Sequence, residues 1–201
     1  MDSDFWNERY IAEEYVYGKE PNFFFRNFIN QKLQTPGKLL LPAEGEGRNA
    51  IFAAGHGYQV TAFDFSPDGK KKALRLAEEK KVSIEYILSD LQSFNYIPAF
   101  YDLVGLFFVH QPPEIRSFLH KSVVDSLIPG GMICLEAFHT DQIHLHSGGP
   151  KSLDMLMHLD QLSEDFKSLD IIHLTKTERE LDEGSYHQGK ASLVQLIALK
   201  K

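Results

Sequence analysis

KLLLPAEGEGRNAIFAAGHGYQVTAFDFS, residues 38–66, is the stretch that decides the fold of this chain. It begins with a short apolar run at residues 38–41, which predicts a strand buried on both faces. A glycine turn at residues 45–47 follows, and then small apolar residues that predict a helix packed closely on a sheet. A second apolar run at residues 58–65 predicts the next strand and carries Asp64 near its end. This order predicts a pocket for a nucleotide-like ligand.

The spacing of the acid supports such a pocket. Asp64 comes about 20 residues after Gly45, the distance along the chain at which a carboxylate reaches a ribose hydroxyl in nucleotide-binding folds. The alternative is an ordinary turn between strand and helix, with Asp64 as a helix N-cap beside Ser66. The glycine pattern alone does not separate these interpretations.

Composition and charge limit the classes of protein. The chain has 201 residues, of which 43% are hydrophobic and 24% charged, and this suits one α/β domain with a full core. Its formal net charge of −7 would repel phosphate backbones, so we expect no nucleic-acid partner. The single cysteine, Cys134, excludes an internal disulfide, and its apolar neighbours predict a buried strand. Without a signal-peptide pattern or an apolar run of ~18 residues, we expect a cytoplasmic protein with no membrane contact.

Strands alternate with helices along the rest of the chain. Helices are predicted from Pro21 and at about 67–80, 113–127 and 152–166, and further strands at 82–88, 101–109, 132–138, 171–181 and 191–199. This pattern predicts an α/β, doubly wound, mostly parallel seven-stranded sheet with an antiparallel C-terminal edge hairpin. We expect a single domain over residues 1–201, with an N-terminal cover and helix at 1–36 and the core at 37–201. Ligands of such sheets bind at the carboxyl ends of the strands, here near residues 44–49, 64–66, 90–91, 109–111 and 138–141.

With these elements in place, the chain resembles class I S-adenosylmethionine-dependent methyltransferases. Within them it is similar to the small tellurite-resistance (TehB-like) and thiopurine-methyltransferase-like group. The matching motifs are WNERY (6–10), YVYGKEPN (15–22), EGEGRNA (44–50), VTAFDFS (60–66), SDL (89–91) and IPGGMICLEAF (128–138). The resemblance implies a Rossmann-like methyltransferase fold, S-adenosylmethionine as cofactor and S-adenosylhomocysteine as product. It also implies a small-molecule acceptor, such as a thiol or a metalloid oxyanion.

The resemblance implies roles for individual residues. Gly45 and Gly47 would lie against the methionine part of the cofactor, and Asp64 would accept hydrogen bonds from both ribose hydroxyls, because a carboxylate offers two acceptor oxygens. The other predicted cofactor contacts are Phe65, Asp90 and Leu91 around the adenine, Val109 beneath the sulfonium, Trp6 and Tyr10 in the cover, and Glu44, Glu46, Asn49 and Ser66 at the strand exits. One departure stands out: most relatives carry an acid where this chain has Leu41. We expect either Glu44 or another group to replace it, the alternative for Glu44 being a solvated turn residue.

Methyl transfer from a sulfonium mainly requires alignment of the reactants and exclusion of water. A base is needed only when the nucleophile carries a proton. By resemblance, His187 in the hairpin connection and Arg179 before it are predicted to be catalytic. The alternative for this pair is an exposed histidine and a solvated charge run. Tyr17, His110 and Phe138 are predicted to bind the acceptor. The alternatives are packing under the N-terminal cover for Tyr17 and a loop residue before a helix for His110.

Three other interpretations remain open at this point. His139, His144 and His146 lie close together in the sequence, but they lack the cysteines or the HxxxH pair of a zinc site, so no metal is predicted. A nicotinamide-dependent oxidoreductase also has a glycine turn and an acid, but normally adds a second domain for its substrate. A non-catalytic sensor of S-adenosylmethionine would show the same binding residues as the enzyme.

Overall fold

The computed structural model describes residues 9–31 and 35–201. Its strands form one seven-stranded sheet in the order β3-β2-β1-β4-β5-β7-β6. The strands are β1 (Lys38–Pro42), β2 (Gln59–Asp64), β3 (Glu85–Leu88), β4 (Tyr101–Phe107), β5 (Leu127–Phe138), β6 (Asp170–Asp182) and β7 (Gln188–Leu199). Strands β1 to β5 pair in parallel with one another, and β7 is antiparallel to both β5 and β6. The predicted fold class is therefore confirmed.

Within the part of the chain that the structure describes, five α-helices with defined bounds cover the sheet. They are α1 (Phe23–Asn30), α2 (Arg48–Gly55), α3 (Pro67–Lys80), α4 (Pro113–Ser126) and α5 (Leu159–Asp165). The start of α3 shows how the sequence sets these boundaries: the Ser66 side chain accepts a hydrogen bond from the Gly69 N–H, and Pro67 occupies the first turn, where its missing N–H costs nothing. None of the helices among the described residues is long and apolar enough to cross a membrane.

The core consists of two apolar clusters, one on each face of the sheet. Strand β1 contributes to both, because Leu40 packs with α4 and α5 on one face while Leu39 and Leu41 pack with α1, α2 and α3 on the other. All three leucines are fully buried. This explains why β1 is a continuous apolar run rather than an alternating one. Cys134 is buried in the second cluster, as predicted.

Two boundaries differ from the sequence prediction. Strand β5 begins at Leu127 rather than at Met132, because Leu127 pairs with Tyr101 and the Pro129-Gly130-Gly131 segment is accommodated by a shift in register before Leu103 pairs with Met132. The helix expected over residues 152–166 is shortened to α5. A 3₁₀ turn at Leu153–Met155 precedes it, and Met157 bridges to His139 at the end of β5, which holds the intervening chain extended.

Candidate active site

A cavity of about 530 Å³ lies at the carboxyl ends of β1, β2, β4 and β5. A smaller hollow of about 140 Å³ adjoins it, and the two share Ala43, Asp64, Phe65 and Gln111 as walls. The strand order reverses between β1 and β4, so the cavity stands at the topological switch point, where α/β sheets bind their ligands. The N-terminal segment, the β6–β7 turn and residues 148–152 close its other sides.

The glycine turn after β1 is held by two tyrosines. Gly45 has a φ of 59°, in the left-handed region. A side chain there would place its Cβ 2.6 Å from the Tyr10 hydroxyl oxygen. From the other side, the Tyr86 hydroxyl donates to the Gly45 carbonyl at 2.5 Å. The turn therefore needs glycine both for its backbone conformation and for the close approach of Tyr10.

Asp64 at the end of β2 is a buried carboxylate oriented by backbone donors. Its Oδ2 accepts from the Gly45 N–H at 3.1 Å and its Oδ1 from the Ser66 N–H at 2.9 Å. Burial raises its pKa to about 6, although the backbone hydrogen bonds oppose this shift. Each oxygen keeps acceptor capacity beyond these bonds, at the wall shared by the cavity and the hollow. The site can thus present two acceptors to a ligand diol.

Glu44 lines the cavity and also caps α2. Its Oε1 accepts from the N–H groups of Asn49 and Ala50, both at 2.8 Å, and its Oε2 accepts from the Asn49 side-chain amide at 3.2 Å. These donors are the orphan groups of the first helical turn, which favour a negative charge. Burial nevertheless dominates and raises the Glu44 pKa to about 7. Glu44 is therefore no solvated turn residue.

The next turn residues tie the glycine turn to the N-terminal segment. The carboxylate of Glu46 pairs with the buried Lys72 ammonium at 2.7 Å and accepts from the Tyr17 N–H at 3.3 Å. The Asn49 side-chain oxygen accepts from the Asn22 N–H at 2.8 Å. Glu46 and Asn49 thus hold the cover in place, in addition to the predicted contact with a ligand.

The smaller hollow has both apolar and acidic walls. Phe65 and Leu91 are among its walls, together with Asp90. The Asp90 carboxylate accepts from the N–H groups of Gln92 and Ser93 and from the Ser93 hydroxyl, each at 2.8 Å, and these bonds lower its pKa. Asp90 is therefore a charged cap of the turn after β3, at the exposed rim of the hollow. Its predicted contact with an adenine amino group stays a prediction.

Opposite this hollow, aromatic rings surround His187. Its imidazole lies 4.7 Å from the Tyr17 ring, 4.5 Å from Phe108 and 5.3 Å from Phe138, measured between ring centroids. Its Nδ1 is buried and has no hydrogen-bond partner within the described part of the chain. Burial, reinforced by nearby Arg48, lowers its pKa well below the ordinary range, so the ring is neutral. A neutral imidazole at a cavity wall can accept a proton.

The exit of β4 supplies two more walls. Phe108 has a φ of 56°, a strained value for an aromatic residue, and strain of this kind clusters at functional sites. His110 uses both ring nitrogens: its Nδ1 bonds to the Met155 carbonyl at 2.9 Å, and its Nε2 accepts from the Phe138 N–H at 3.2 Å. Burial lowers the His110 pKa to about 4. His110 lines the cavity with no ring nitrogen to spare, which favours a wall over a hydrogen-bonding contact with the acceptor.

The remaining predicted residues fall into three groups. Tyr10, Tyr17, Val109 and Phe138 line the cavity, as expected for binding residues, whereas the predicted contact of Trp6 lies outside the described residues. Arg179 lines neither the cavity nor the hollow, because its guanidinium is engaged by Glu136 at 2.9 Å and by Glu183 at 2.6 Å. Arg179 therefore forms no part of either wall, and its catalytic role stays a prediction. Over residues 9–31 and 35–201, no group of three or more histidine, cysteine or acidic side chains is arranged to hold a metal ion.

Sequence reasoning missed two walls of the acceptor side. Phe108 directly precedes the predicted Val109, and Tyr186 directly precedes His187. The Arg9 guanidinium lies 3.9 Å over the Tyr186 ring and donates to the Tyr17 hydroxyl at 2.8 Å. The signal for both walls was their position beside predicted site residues, at a strand exit and in the hairpin turn.

Comparison with known families decides the class of this site. Residues 42–131 match the family model of the methyltransferase domain, and this segment contains the glycine turn, Asp64 and the exit of β4. This segment of the chain is therefore similar to methyltransferase domains, which indicates an enzyme that uses S-adenosylmethionine. The predicted cofactor is thereby confirmed, and the oxidoreductase and the non-catalytic sensor are set aside. None of the curated proteins is significantly similar to the chain.

Solved structures agree on the fold of the chain. One concerns the conversion of a disulfide bond into a thioacetal group during echinomycin biosynthesis; it has a TM-score of 0.79 at 14% identity and covers 99% of this chain and 92% of that one. TehB from Haemophilus influenzae has a TM-score of 0.74 at 20% identity, and the match covers 99% of this chain and 67% of that one. The N-methyltransferase NodS from Bradyrhizobium japonicum WM9, in complex with S-adenosyl-L-homocysteine, has a TM-score of 0.72 at 15% identity. The match covers 100% of this chain and 99% of that one. At these identities the likeness establishes the fold, and the narrower TehB-like or thiopurine-methyltransferase-like group stays a prediction.

The residues on the walls fit S-adenosylmethionine. Asp64 offers acceptors for the ribose diol, and the adjoining hollow, with Phe65 and Leu91 among its walls, offers apolar surface for an adenine ring. The turn at Gly45 is buried against Tyr10, and its neighbours Glu44 and Glu46 line the cavity, where the methionine part is predicted to lie. His187 and the aromatic rings around it line the same cavity, where the acceptor is predicted to bind.

Proposed function

We propose that this methyltransferase acts on a small-molecule acceptor that carries a soft nucleophile, such as a thiol or a metalloid oxyanion. The observation that carries the proposal is the neutral His187 ring, which stands among the aromatic walls of the same cavity that holds Asp64 and the glycine turn. Polarisable rings suit a soft, weakly hydrated nucleophile. A cavity of about 530 Å³ that also receives the cofactor leaves room for a small acceptor.

The residues of the chain divide the work between binding and proton transfer. When bound, S-adenosylmethionine supplies an electrophilic methyl group on a sulfonium. Tyr17, Phe108 and Phe138 would exclude water and orient the acceptor toward that methyl group. For a protonated acceptor such as a thiol, His187 would take the proton as the bond to the methyl group forms, and would later release it to solvent. An acceptor that is already an anion needs no such step.

The whole chain is proposed to act as a single methyltransferase domain over residues 1–201, with residues 1–36 as cover and helix and 37–201 as the core. The support is that Arg9, Tyr10 and Tyr17, all from the N-terminal segment, form part of the cavity wall. The net charge of −7 supports a small-molecule partner rather than nucleic acid. A cytoplasmic location stays a prediction.

The test is formation of S-adenosylhomocysteine with a panel of acceptors: aliphatic and aromatic thiols, tellurite, selenite, halides and small phenols. We expect turnover with at least one thiol or metalloid oxyanion. His187→Ala should lower kcat for a thiol by about 100-fold or more, the usual contribution of a general base. Its affinity for S-adenosylhomocysteine should stay close to that of the wild type. The matched control is His146→Ala, since His146 is exposed and outside the cavity wall.

The panel separates the possible outcomes. Wild-type turnover in His187→Ala with a thiol would remove the proton-accepting role from His187. Turnover only with phenols or halides would contradict the soft thiol or metalloid acceptor. Tight cofactor binding without turnover on any compound of the panel would overturn the proposed acceptor class.

A further inference from the structure

Four charged side chains of alternating sign form a row from Arg48 of α2, which lines the cavity, to Glu136 of β5. Arg48 Nη2 lies 2.7 Å from Glu183 Oε2, Glu183 Oε1 lies 2.6 Å from Arg179 Nη2, and the same Nη2 lies 2.9 Å from Glu136 Oε1. The side chains are only 8% (Arg48), 9% (Glu183), 19% (Arg179) and 0% (Glu136) exposed. Buried charges are tolerated when they are paired, and removing one partner leaves its neighbour uncompensated.

Glu183 is the member of this row that belongs to the hairpin turn. It stands one residue after β6, and its N–H donates to the His187 carbonyl at 2.9 Å. The His187 N–H in turn donates to the Gly184 carbonyl at 3.2 Å. These two bonds close residues 183–187 into a compact turn. A shift of Glu183 would therefore displace the backbone that carries the His187 ring.

The same turn is packed against the N-terminal segment. Gly184 has a φ of 79°, and a Cβ there would overlap the Val16 carbonyl and lie 2.7 Å from the Gly18 nitrogen. Arg48 also reaches this segment, because its Nη1 donates to the Tyr17 carbonyl at 3.1 Å. The turn is thus fixed on two sides, by the ion pairs of Glu183 and by the backbone contact of Gly184.

We propose that Glu183 is a positioning residue: by pairing with Arg48 and Arg179, it holds the hairpin turn so that the His187 ring stands at the cavity wall. Glu183 itself lines neither the cavity nor the hollow formed by the described residues, so its effect passes through His187. The catalytic consequence rests on the proposed function of His187. The geometric statement, that Glu183 places the ring, stands apart from it.

The groups around His187 determine how the loss of Glu183 would change the His187 pKa. Arg48 approaches from α2, Arg179 from β6, Arg9 from the N-terminal segment, and His110 from the exit of β4; each adds to the effect of burial in lowering the His187 pKa. Tyr17 packs against this turn, with its ring centroid 6.2 Å from that of Tyr186 and 4.7 Å from that of His187. A released turn would expose the ring to water, and its pKa would rise toward the ordinary ~6.5 of a histidine. Lost charge alone, in an unmoved turn, would leave the arginines uncompensated and keep the pKa low.

The experiment uses the full chain with Glu183→Gln, and Glu180→Gln as the matched control. Glu180 is an exposed acid on β6, three residues before Glu183. The imidazole C–H signal of His187, assigned by its absence in His187→Ala, is followed by NMR between about pH 5 and 8. We expect no titration of this signal in the wild type or in Glu180→Gln, and a titration near ~6.5 in Glu183→Gln. We also expect kcat to fall by about 10-fold to 100-fold, as for small misplacements of a reacting group, with cofactor affinity within two-fold.

The two proposals fail in different ways. A wild type that methylates no acceptor removes the proposed acceptor class, while the NMR titration still decides whether Glu183 places the ring. A folded Glu183→Gln whose His187 signal and kcat match those of Glu180→Gln would overturn the positioning role. If Glu183→Gln does not fold, Glu183→Asp replaces it, because it keeps the charge but shortens the reach by one methylene. The expected changes then have the same direction, and wild-type behaviour again overturns the proposal.

Discussion

Replacing Asp64 by asparagine should weaken binding of S-adenosylhomocysteine by about 100-fold or more. In the structure, each carboxylate oxygen already accepts one backbone N–H, from Gly45 at 3.1 Å or from Ser66 at 2.9 Å, and keeps a lone pair for a ribose hydroxyl. A hydrogen bond to a charged group is worth about 1.5–3 kcal/mol. Asparagine has one acceptor oxygen instead of two, so one of the two ribose hydrogen bonds is lost and the other is weakened because the group is no longer charged. Its amide N–H groups also face a backbone N–H, which is itself a donor. A total of about 3 kcal/mol corresponds to a little more than 100-fold in Kd.

The assay is calorimetric titration with S-adenosylhomocysteine at pH 8, with thermal unfolding as the test of folding. The control is Asp68→Asn, because Asp68 stands four residues later, in the first turn of α3, and is outside the walls of both the cavity and the hollow. We expect the control to bind like the wild type. A natively folded Asp64→Asn whose Kd stays within three-fold of the wild type would refute the assignment of Asp64 to the ribose.

The pH dependence of the same titration gives an independent check. Burial raises the pKa of Asp64 to about 6 in the free protein, and ribose donors favour the charged form, so binding lowers this pKa and releases a proton. Wild-type affinity should therefore fall as pH drops through about 6, by roughly ten-fold per pH unit once the protonated form dominates. Glu44, whose pKa burial raises to about 7, titrates in the same range. Because Asp64→Asn removes the step near 6 and leaves any step near 7, the difference between the two profiles isolates Asp64.

Three further substitutions test the architecture around the site. In the folded wild type Glu44 holds its proton up to about pH 7, whereas an unfolded glutamate loses it near ~4.3, so the free energy of unfolding falls as pH rises through this window. Glu44→Gln should reduce this fall, measured by denaturant unfolding at pH 5 and 8. The same fall in Glu44→Gln as in the wild type would contradict the prediction. Gly45→Ala should cost about 1–3 kcal/mol in the same measurement, since its Cβ would meet the Tyr10 hydroxyl at 2.6 Å, and Tyr10→Phe in the same chain should recover part of the loss. Gly184→Ala should reduce kcat more than cofactor affinity, because it displaces the turn that carries His187; equal losses in both would count against the turn as a unit.

The first half of the sheet was predictable because its sequence pattern has one physical solution. Leu39, Leu40 and Leu41 form an apolar run too short for a helix, and burial on both faces by a parallel sheet accounts for it. Glycines and Asp64 follow at strand ends, where parallel strands bring their exits to one edge. Both the fold and the location of the cavity follow from these residues.

The roles of polar side chains were less predictable, because they depend on partners distant in sequence. Arg179 was expected at the reacting atoms, but Glu136, 43 residues earlier, and Glu183 engage its guanidinium behind the cavity. His110 follows a strand exit as a substrate contact would, yet its two nitrogens bond to Met155 and Phe138. The sequence indicates that such residues lie near the site. Which of their donors and acceptors remain free for a ligand depends on tertiary contacts, which only the structure shows.

The departure at Leu41 follows from packing at the end of β1. Leu41 is fully buried and packs so closely against Gly105 that a Cβ on this glycine would lie 2.6 Å from the leucine Cδ2. An acid at position 41 would meet this apolar surface and pay the cost of an unpaired buried charge. The chain places its acid three residues later instead, after Ala43 adopts a left-handed φ of 50°, which turns the backbone toward α2. There Glu44 meets two helix N–H groups and the cavity at once, so the carboxyl group moves from a strand end to a helix N-terminus, where it accepts hydrogen bonds from α2 while lining the cavity.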